Sequence, residues 1–282
     1  MRRGSIKVIR GDAAELPGIP PASVDLVVTS PPYPMIPQWD EMFARAGAPT
    51  YNGMHDRLEG AWRASHRVLV PGGILAVNVG DAVRRVGERF RLWPNHAEVM
   101  RRCESVGFSP LPYILWQKPM NRPNAFLGSG FLPPNAYVTL DCEFILLFRK
   151  GELRRFPPHD PGRVASRYSR KERDTWFSQV WEGIRGARQD ADGLRTAAFP
   201  PEIPRRLVRM FSRAGDTVLD PFAGTGTTLW VASALGRNAI GVELEPMTFA
   251  RLEERAKSPP ALKEPRGAPA SGGARSPPRR PA

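Results

Sequence analysis

Cysteine is nearly absent from the 282 residues, with only Cys103 and Cys142, and the four histidines His55, His66, His96 and His159 stand far apart. Two thiols cannot make a disulfide framework, and no histidines or cysteines have ligand spacing, so metal chemistry is not expected. Long apolar runs are also missing: none approaches the roughly 18 residues that span a bilayer, and the start MRRGSIKVIRGD has no apolar signal core. These absences predict a cytosolic protein without membrane association. Acidic residues are in deficit, 28 Asp and Glu against 41 Lys and Arg, for a formal net charge of +13. Clustered cations attract phosphates, which raises the expectation of a polyanionic partner beside the alternative of an Arg-rich solvated face. Aliphatic side chains are scarce from Lys257 onward, where KSPPALKEPRGAPASGGARSPPRRPA carries six of the basic residues. Such a segment cannot offset its ordering entropy by burial, which predicts a disordered, basic, Pro-rich tail over 257–282.

What is present is an alternation of short β-branched runs with helical patterns. Ile6 to Ile9, Val24 to Thr29, Ile74 to Val79, Thr217 to Leu219 and Ala239 to Val242 have the near-continuous apolar character of buried parallel strands. Helices are expected over about 54–69, 95–106 and 203–213, where apolar residues recur on one face. Tyr113 to Trp116 and Glu143 to Phe148 read as an antiparallel pair closing one edge. The class is α/β, with 282 residues enough for one substantial core.

Residues 216–246, DTVLDPFAGTGTTLWVASALGRNAIGVELEP, carry the first chemical signal. A strand runs into Asp220, then a turn with Gly224 and Gly226, then a helix, then a strand ending in Glu243. Glycines let backbone approach a ligand at the carboxyl end of a strand, where open α/β sheets bind cofactors. Glu243, on the next strand, is placed to accept hydrogen bonds from a ribose diol. Gly226 is followed by Thr227-Thr228 and not by Lys, which removes a Walker P-loop, and Leu229 stands where a dinucleotide fingerprint wants a third glycine. A nucleoside without a pyrophosphate remains, with Asp220 supplying negative charge for a cationic group. S-adenosyl-L-methionine fits both requirements.

The second signal is VDLVVTSPPYP, residues 24–34. Proline fixes its own φ and restricts the residue before it, so Ser30-Pro31-Pro32-Tyr33 forms a rigid extended loop after a buried strand. The loop carbonyls and the Ser30 hydroxyl can accept hydrogen bonds from an exocyclic amine, freeing its lone pair for a methyl sulfonium. Tyr33 supplies a flat face for the base. A base inside a duplex cannot reach such a loop, so the substrate is single-stranded or flipped out.

Together, Thr29 to Tyr33 and Asp220-Pro221-Phe222-Ala223-Gly224-Thr225-Gly226 resemble the amino-methylating DNA methyltransferases, specifically the permuted group in which the catalytic motif precedes the S-adenosyl-L-methionine motif. Supporting segments are Arg67 to Gly73, Trp116 to Pro119, Glu143 to Lys150 and Phe199 to Glu202, so the resemblance covers most of residues 5–256. It implies a Rossmann-like methyltransferase fold with a mostly parallel seven-stranded sheet. It implies a catalytic half over about 5–150, a target-recognition insertion over about 151–195 and a cofactor half over about 196–256. Ser30, Pro31, Pro32 and Tyr33 would hold the target amine. Phe222, Gly224 and Gly226 would line the methionine part of the cofactor, Glu243 its ribose and Asp12 its adenine side, with Pro221 and Thr227 in the same set. Phe199, Pro200 and Glu202 resemble the family's additional cofactor motif, although Arg195 and Thr196 stand where many relatives carry His-Pro. The insertion interleaves Arg154, Arg155, Arg163, Arg167, Arg170, Lys171, Arg173, Arg185 and Arg188 with Tyr168, Trp176, Phe177 and Trp181. Phosphate contacts would position it and a few side chains would read base edges; loops 34–54 and 120–136 would contribute.

The expected activity is site-specific methylation of cytosine N4 in double-stranded DNA with the target base flipped, in a prokaryotic, nucleoid-associated protein beside a cognate restriction endonuclease. Ser30 at the first position of the tetrad is what the resemblance associates with cytosine. Adenine N6, cytosine N4 in structured RNA, and a non-catalytic DNA-binding subunit on the same fold stay open as alternatives.

Overall fold

The computed structural model describes residues 3–87, 89–118, 138–186 and 199–262. In chain order its elements are β1 (Ile6–Arg10), β2 (Val24–Thr29), α1 (Asp40–Arg45), α2 (Tyr51–Val68), β3 (Leu69–Val79), β4 (Ala82–Val86), β5 (Arg89–Trp93), α3 (Asn95–Val106), β6 (Phe108–Gln117), β7 (Cys142–Lys150), α4 (Pro161–Ala165), α5 (Arg170–Trp176), β8 (Val180–Trp181), α6 (Glu202–Phe211), β9 (Thr217–Asp220), α7 (Thr227–Ala234), β10 (Asn238–Glu243) and α8 (Pro246–Lys257). The loop read as 120–136, Arg188, Arg195, Thr196 and tail residues 263–282 lie outside the described residues.

Strands β1, β10, β9, β2, β3, β7, β6 and β8 form one sheet in that order. The first five run parallel and β7 is antiparallel to both β3 and β6. β8 pairs parallel with β6 through Leu115↔Val180 and Trp116↔Trp181, so among the described residues the sheet has eight strands where seven are expected. A strand of two residues carries no readable period. The hairpin β4–β5, also unexpected, is a separate two-stranded sheet.

Strand pleating sends alternate residues to opposite faces, and each face has its own core. Val27 and Leu75 join Leu58, Trp62, Val99 and Cys103 of α2 and α3 on one side. Leu26, Val28 and Ala76 join Ile203, Leu207, Leu229 and Leu252 on the other. Because every residue of β2 except Asp25 is buried, each large aliphatic side chain there contributes roughly 1.5–3 kcal/mol. From β2 the chain crosses to β3, whereas from β9 it crosses to β10 in the opposite direction. A crevice opens between β2 and β9 at such a reversal, outside the carboxyl ends of the strands. The residue after β2 is Ser30, and the last residue of β9 is Asp220.

Candidate active site

Asp220 and Glu243 each end a parallel strand, which aims both carboxylates into the crevice. Asp220 is 2% exposed. Its Oδ1 accepts from Thr29 Oγ1 at 2.7 Å and from the Phe222 backbone N–H at 3.1 Å. Burial raises its pKa to about 6, opposed by those donors and by Thr228, and the Glu243 charge pushes it further up. The Thr29–Asp220 bond joins positions 191 residues apart and ties the Ser30 loop directly to the glycine turn.

Gly224 and Gly226 have φ of 52° and 85°, left-handed values that cost a Cβ-bearing residue roughly 1 kcal/mol or more. A Cβ at Gly226 would also lie 2.7 Å from Leu252 Cδ1. The turn brings the Gly224 N–H to Glu243 Oε2 at 2.9 Å, while Glu245 N–H reaches Oε1 at 2.9 Å. Burial raises the Glu243 pKa and these backbone donors lower it. An ionised carboxylate has about four acceptor sites, so the two backbone bonds orient Glu243 and leave capacity for a diol. Pro221 is buried, Phe222 meets Trp62 edge-on at 6.3 Å between centroids, and Thr227 opens α7.

Asp12 follows β1, beside Glu243, because Arg10 pairs with Glu243 across β1 and β10. Its Oδ1 accepts the Ala14 N–H at 2.8 Å and its Oδ2 holds Arg57. Phe199 and Pro200 are buried at the entry to α6. Glu202 is clamped by Arg205 and Arg206 of its own helix, both at 2.7 Å; burial raises its pKa, yet these two cations hold it below its ordinary value. These residues fit the expected cofactor: glycines leave room for backbone approach, Glu243 offers acceptors to a ribose, and buried Asp220 has no cation beside it among the described residues.

Across the crevice, Pro31 and Pro32 are buried and Tyr33 points into the sheet. Tyr33 Oη lies 2.9 Å from Ser30 Oγ, 2.7 Å from Asn78 Nδ2 and 3.1 Å from Glu143 Oε2. Asn78 Nδ2 also reaches Glu143 Oε2 at 2.6 Å, and Lys118 Nζ holds the other carboxylate oxygen. The chemistry of the partners determines the direction of each bond. A carboxylate only accepts and an amide NH2 only donates, so the Tyr33 proton goes to Glu143 and its lone pairs receive Asn78 and Ser30. Ser30 therefore donates to Tyr33 and keeps two lone pairs for an incoming N–H. Burial, then the charge of Glu143, hold the Tyr33 pKa well above its ordinary value, so the phenol keeps its proton. Asn78 Oδ1 is buried with no partner among the described residues.

Asn78, Glu143 and Lys118 are missing from the residues singled out as catalytic or cofactor-binding from sequence, although Lys118 and Glu143 lie in segments that carry the family resemblance. The signal was present: Asn78 interrupts the apolar run ILAVNV and Glu143 begins EFILLF, and a polar residue inside a buried strand requires a partner. Met35, two residues past Tyr33, has φ 63°, and Asn95 Nδ2 ties the loop by donating to Pro34 O at 2.9 Å. Strain of this kind costs on the order of 1–3 kcal/mol and clusters at functional sites.

The basic insertion differs from its sequence reading. Trp176 and Trp181 are 2% and 1% exposed and belong to the α6-side core. Arg205 and Arg209 lie over the Trp176 ring and Arg206 over Trp181. These two tryptophans cannot meet a base, because burial there is worth more to the fold than an alternating pattern suggests. Arg154 pairs with Asp25 at 2.9 Å and with Asp216 at 3.3 Å, at the amino ends of β2 and β9. Residues 152–166 thus close the end of the sheet opposite the Ser30 loop, where a cavity of about 650 Å³ is lined by Arg163, Arg167, Arg213, Phe156 and Tyr168.

The DNA methylase family model matches residues 24–254. The chain is 53% identical over 274 residues to the Type II methyltransferase M.MjaI of Methanocaldococcus jannaschii, covering 88% of this chain and 90% of that protein. It is 42% identical over 253 residues to the Type II methyltransferase M.MthZI of Methanothermobacter thermautotrophicus, covering 83% and 71%. The structure of TTHA0409 from Thermus thermophilus, a DNA modification methylase by its description and solved with S-adenosyl-L-methionine, matches with a TM-score of 0.71 and 38% identity over 89% of this chain and 94% of that one. With a strand-reversal crevice lined by cofactor-type carboxylates, and with matches spanning most of the chain, this protein belongs to the N6/N4 DNA methylase family and uses S-adenosyl-L-methionine to methylate DNA.

Proposed function

We propose that this enzyme methylates the N4 amine of cytosine within a specific duplex sequence, with the base extruded onto the Ser30–Tyr33 loop. The observation that carries the reading is the one-way chain Ser30 to Tyr33 to Glu143, which leaves Ser30 as an acceptor at the crevice. Bound S-adenosyl-L-methionine supplies an electrophilic methyl group. Phe222, Gly224, Gly226 and Thr227 would line its methionine side, Glu243 would hold the ribose and Asp12 the adenine side, with Asp220 facing the cationic centre. Phe199, Pro200 and Glu202 would border it from α6.

In this mechanism Ser30 Oγ and the Pro31–Pro32 carbonyls receive the two amine N–H groups, which draws the nitrogen lone pair out of conjugation. The nitrogen forms one bond to the methyl carbon as that carbon's bond to sulfur breaks, and the nitrogen then sheds one proton. That proton passes to Ser30 as Ser30 passes its own to Tyr33 and Tyr33 its own to Glu143. Charges balance at a Glu143 carboxylic acid beside Lys118, which later releases the proton to solvent. Carbon-5 methylation is disfavoured, since it needs a thiolate. Cys142, beside Glu143, is on the opposite face of β7, and burial and Asp141 raise its thiol pKa.

Ser30, where adenine enzymes of the family favour Asp or Asn, supports cytosine. The catalytic loop precedes the glycine turn in the chain, as in the permuted group, and the Type II names of both relatives support a partner endonuclease for the same sequence. The test is expression in a host without its own methylation, followed by nucleoside mass spectrometry of DNA and RNA. N4-methylcytosine in DNA is expected; N6-methyladenine, or modification confined to RNA, rejects the assignment.

A further inference from the structure

The β4–β5 ribbon leaves the body of the protein beside the Ser30–Tyr33 loop and pairs only with itself, from Ala82↔Trp93 to Val86↔Arg89. β3, which leads into it, ends at the same end of the sheet as Thr29, Asp220 and Glu243. Both feet of the ribbon are fastened to the loop. Asn95, two residues after β5, donates from one Nδ2 to Gly80 O at 3.0 Å and to Pro34 O at 2.9 Å. Gly80 itself packs so close to Tyr33 that a Cβ there would lie 3.2 Å from the ring. The ribbon is therefore held in a set position relative to the target base.

Its charge is not balanced internally. Arg84 and Arg91 stand directly opposite each other, an arrangement that destabilises a strand pair. Asp40 relieves Arg84 at 2.8 Å, but Arg91 lies over the Trp93 ring at 3.9 Å with no carboxylate partner among the described residues. Arg85 is exposed, as are the apolar Val86 and Leu92. An isolated two-stranded ribbon is marginal in water, whereas the major groove of duplex DNA admits one.

We propose that this ribbon docks on the target duplex beside the extruded base, with Arg85 and Arg91, on opposite faces of the ribbon, neutralising phosphates of the two backbones that flank it. The placement rests on the reading of Ser30–Tyr33 as the loop that holds the base. It contrasts with residues 152–166, whose Arg154 faces Asp25 and Asp216 at the far end of the sheet.

The test measures affinity of the full chain for sheared genomic DNA from a methylation-free host across a salt series. Arg85→Ala/Arg91→Ala is expected to flatten the log–log salt slope by about 1.8, two contacts at about 0.9 each. It should raise KM for DNA while cofactor affinity stays at the wild-type value. Arg85→Lys/Arg91→Lys keeps the charge and should keep the slope, and Arg163→Ala/Arg167→Ala, at the far end, should not move it. An unchanged slope in the ribbon alanine variant, with normal methylation by the wild type, overturns the ribbon and leaves the methyltransferase reading standing. Flattening in the Arg163/Arg167 variant instead does the same. A wild type that binds DNA but methylates no amine overturns the reading of the loop, and the ribbon's placement with it.

Discussion

Asp220 and Glu243 at one end of the sheet and Asp25 and Asp216 at the other meet opposite surroundings. At the carboxyl ends of the parallel strands, Asp220 and Glu243 are held by hydroxyl and backbone donors, with no cation beside them among the described residues. At the amino ends, Asp25, Asp160 and Asp216 share Arg154 and Arg213 in an ion-pair network. Desolvating a carboxylate without a counter-charge costs stability, and a fold keeps such groups where a ligand supplies the missing charge. The ion-pair network contributes to closing the fold. A net charge of +13 is therefore a poor guide to where the chemistry lies, since several arginines are already committed to carboxylates.

The comparison is broken most severely at Glu143. Glu143→Gln keeps the shape but removes the charge that directs the proposed proton path, and kcat is expected to fall by about 10²–10⁴-fold with cofactor affinity unchanged. Single-turnover rates and calorimetric titration read the two effects separately; normal turnover at saturating DNA would remove Glu143 from the mechanism. At Glu243 the loss moves from rate to binding. Glu243→Ala should weaken S-adenosyl-L-methionine by roughly 1.5–3 kcal/mol, the value of charge-assisted hydrogen bonds, and equal titration curves for variant and wild type would dismiss it as the ribose acceptor.

Asp220 sharpens the contrast through pH. Its folded pKa of about 6 lies above the ordinary 3.8, so the folded state binds the extra proton between those values and stability falls as pH rises through that window. Asp220→Asn removes the buried charge while keeping an acceptor for Thr29. It should gain about 3 kcal/mol at pH 7 and only about 0.5 kcal/mol at pH 4, while losing cofactor affinity. Thermal melts at both pH values decide it, because an equal gain at the two would mean that ionisation is not the source. The smallest effect is expected at the other end: Arg154→Ala strands Asp25, leaves Asp216 to Arg213 alone and should cost about 1–2 kcal/mol of stability, with kcat intact. A drop in kcat without destabilisation would contradict its purely structural place.

The sequence alone determined the α/β class, the strands carrying the two motifs and the cofactor type, because those features are local: apolar runs of fixed period, glycines at a strand end, prolines that stiffen a loop. Strand ends shifted by a few residues, as at β3, which starts at Leu69 and not at Ile74, since propensity does not locate where pairing stops. Tertiary structure alone decided how Thr29 meets Asp220, how Asn78, Glu143 and Lys118 converge on Tyr33, and that Trp176 and Trp181 belong to the core. Lys118 and Glu143 are 25 residues apart, and Asn78 and Glu143 are 65. The antiparallel insertion of β7 between β3 and β6 brings them together. Strand order is set by packing between distant segments, so no local pattern encodes which polar side chains will share a proton.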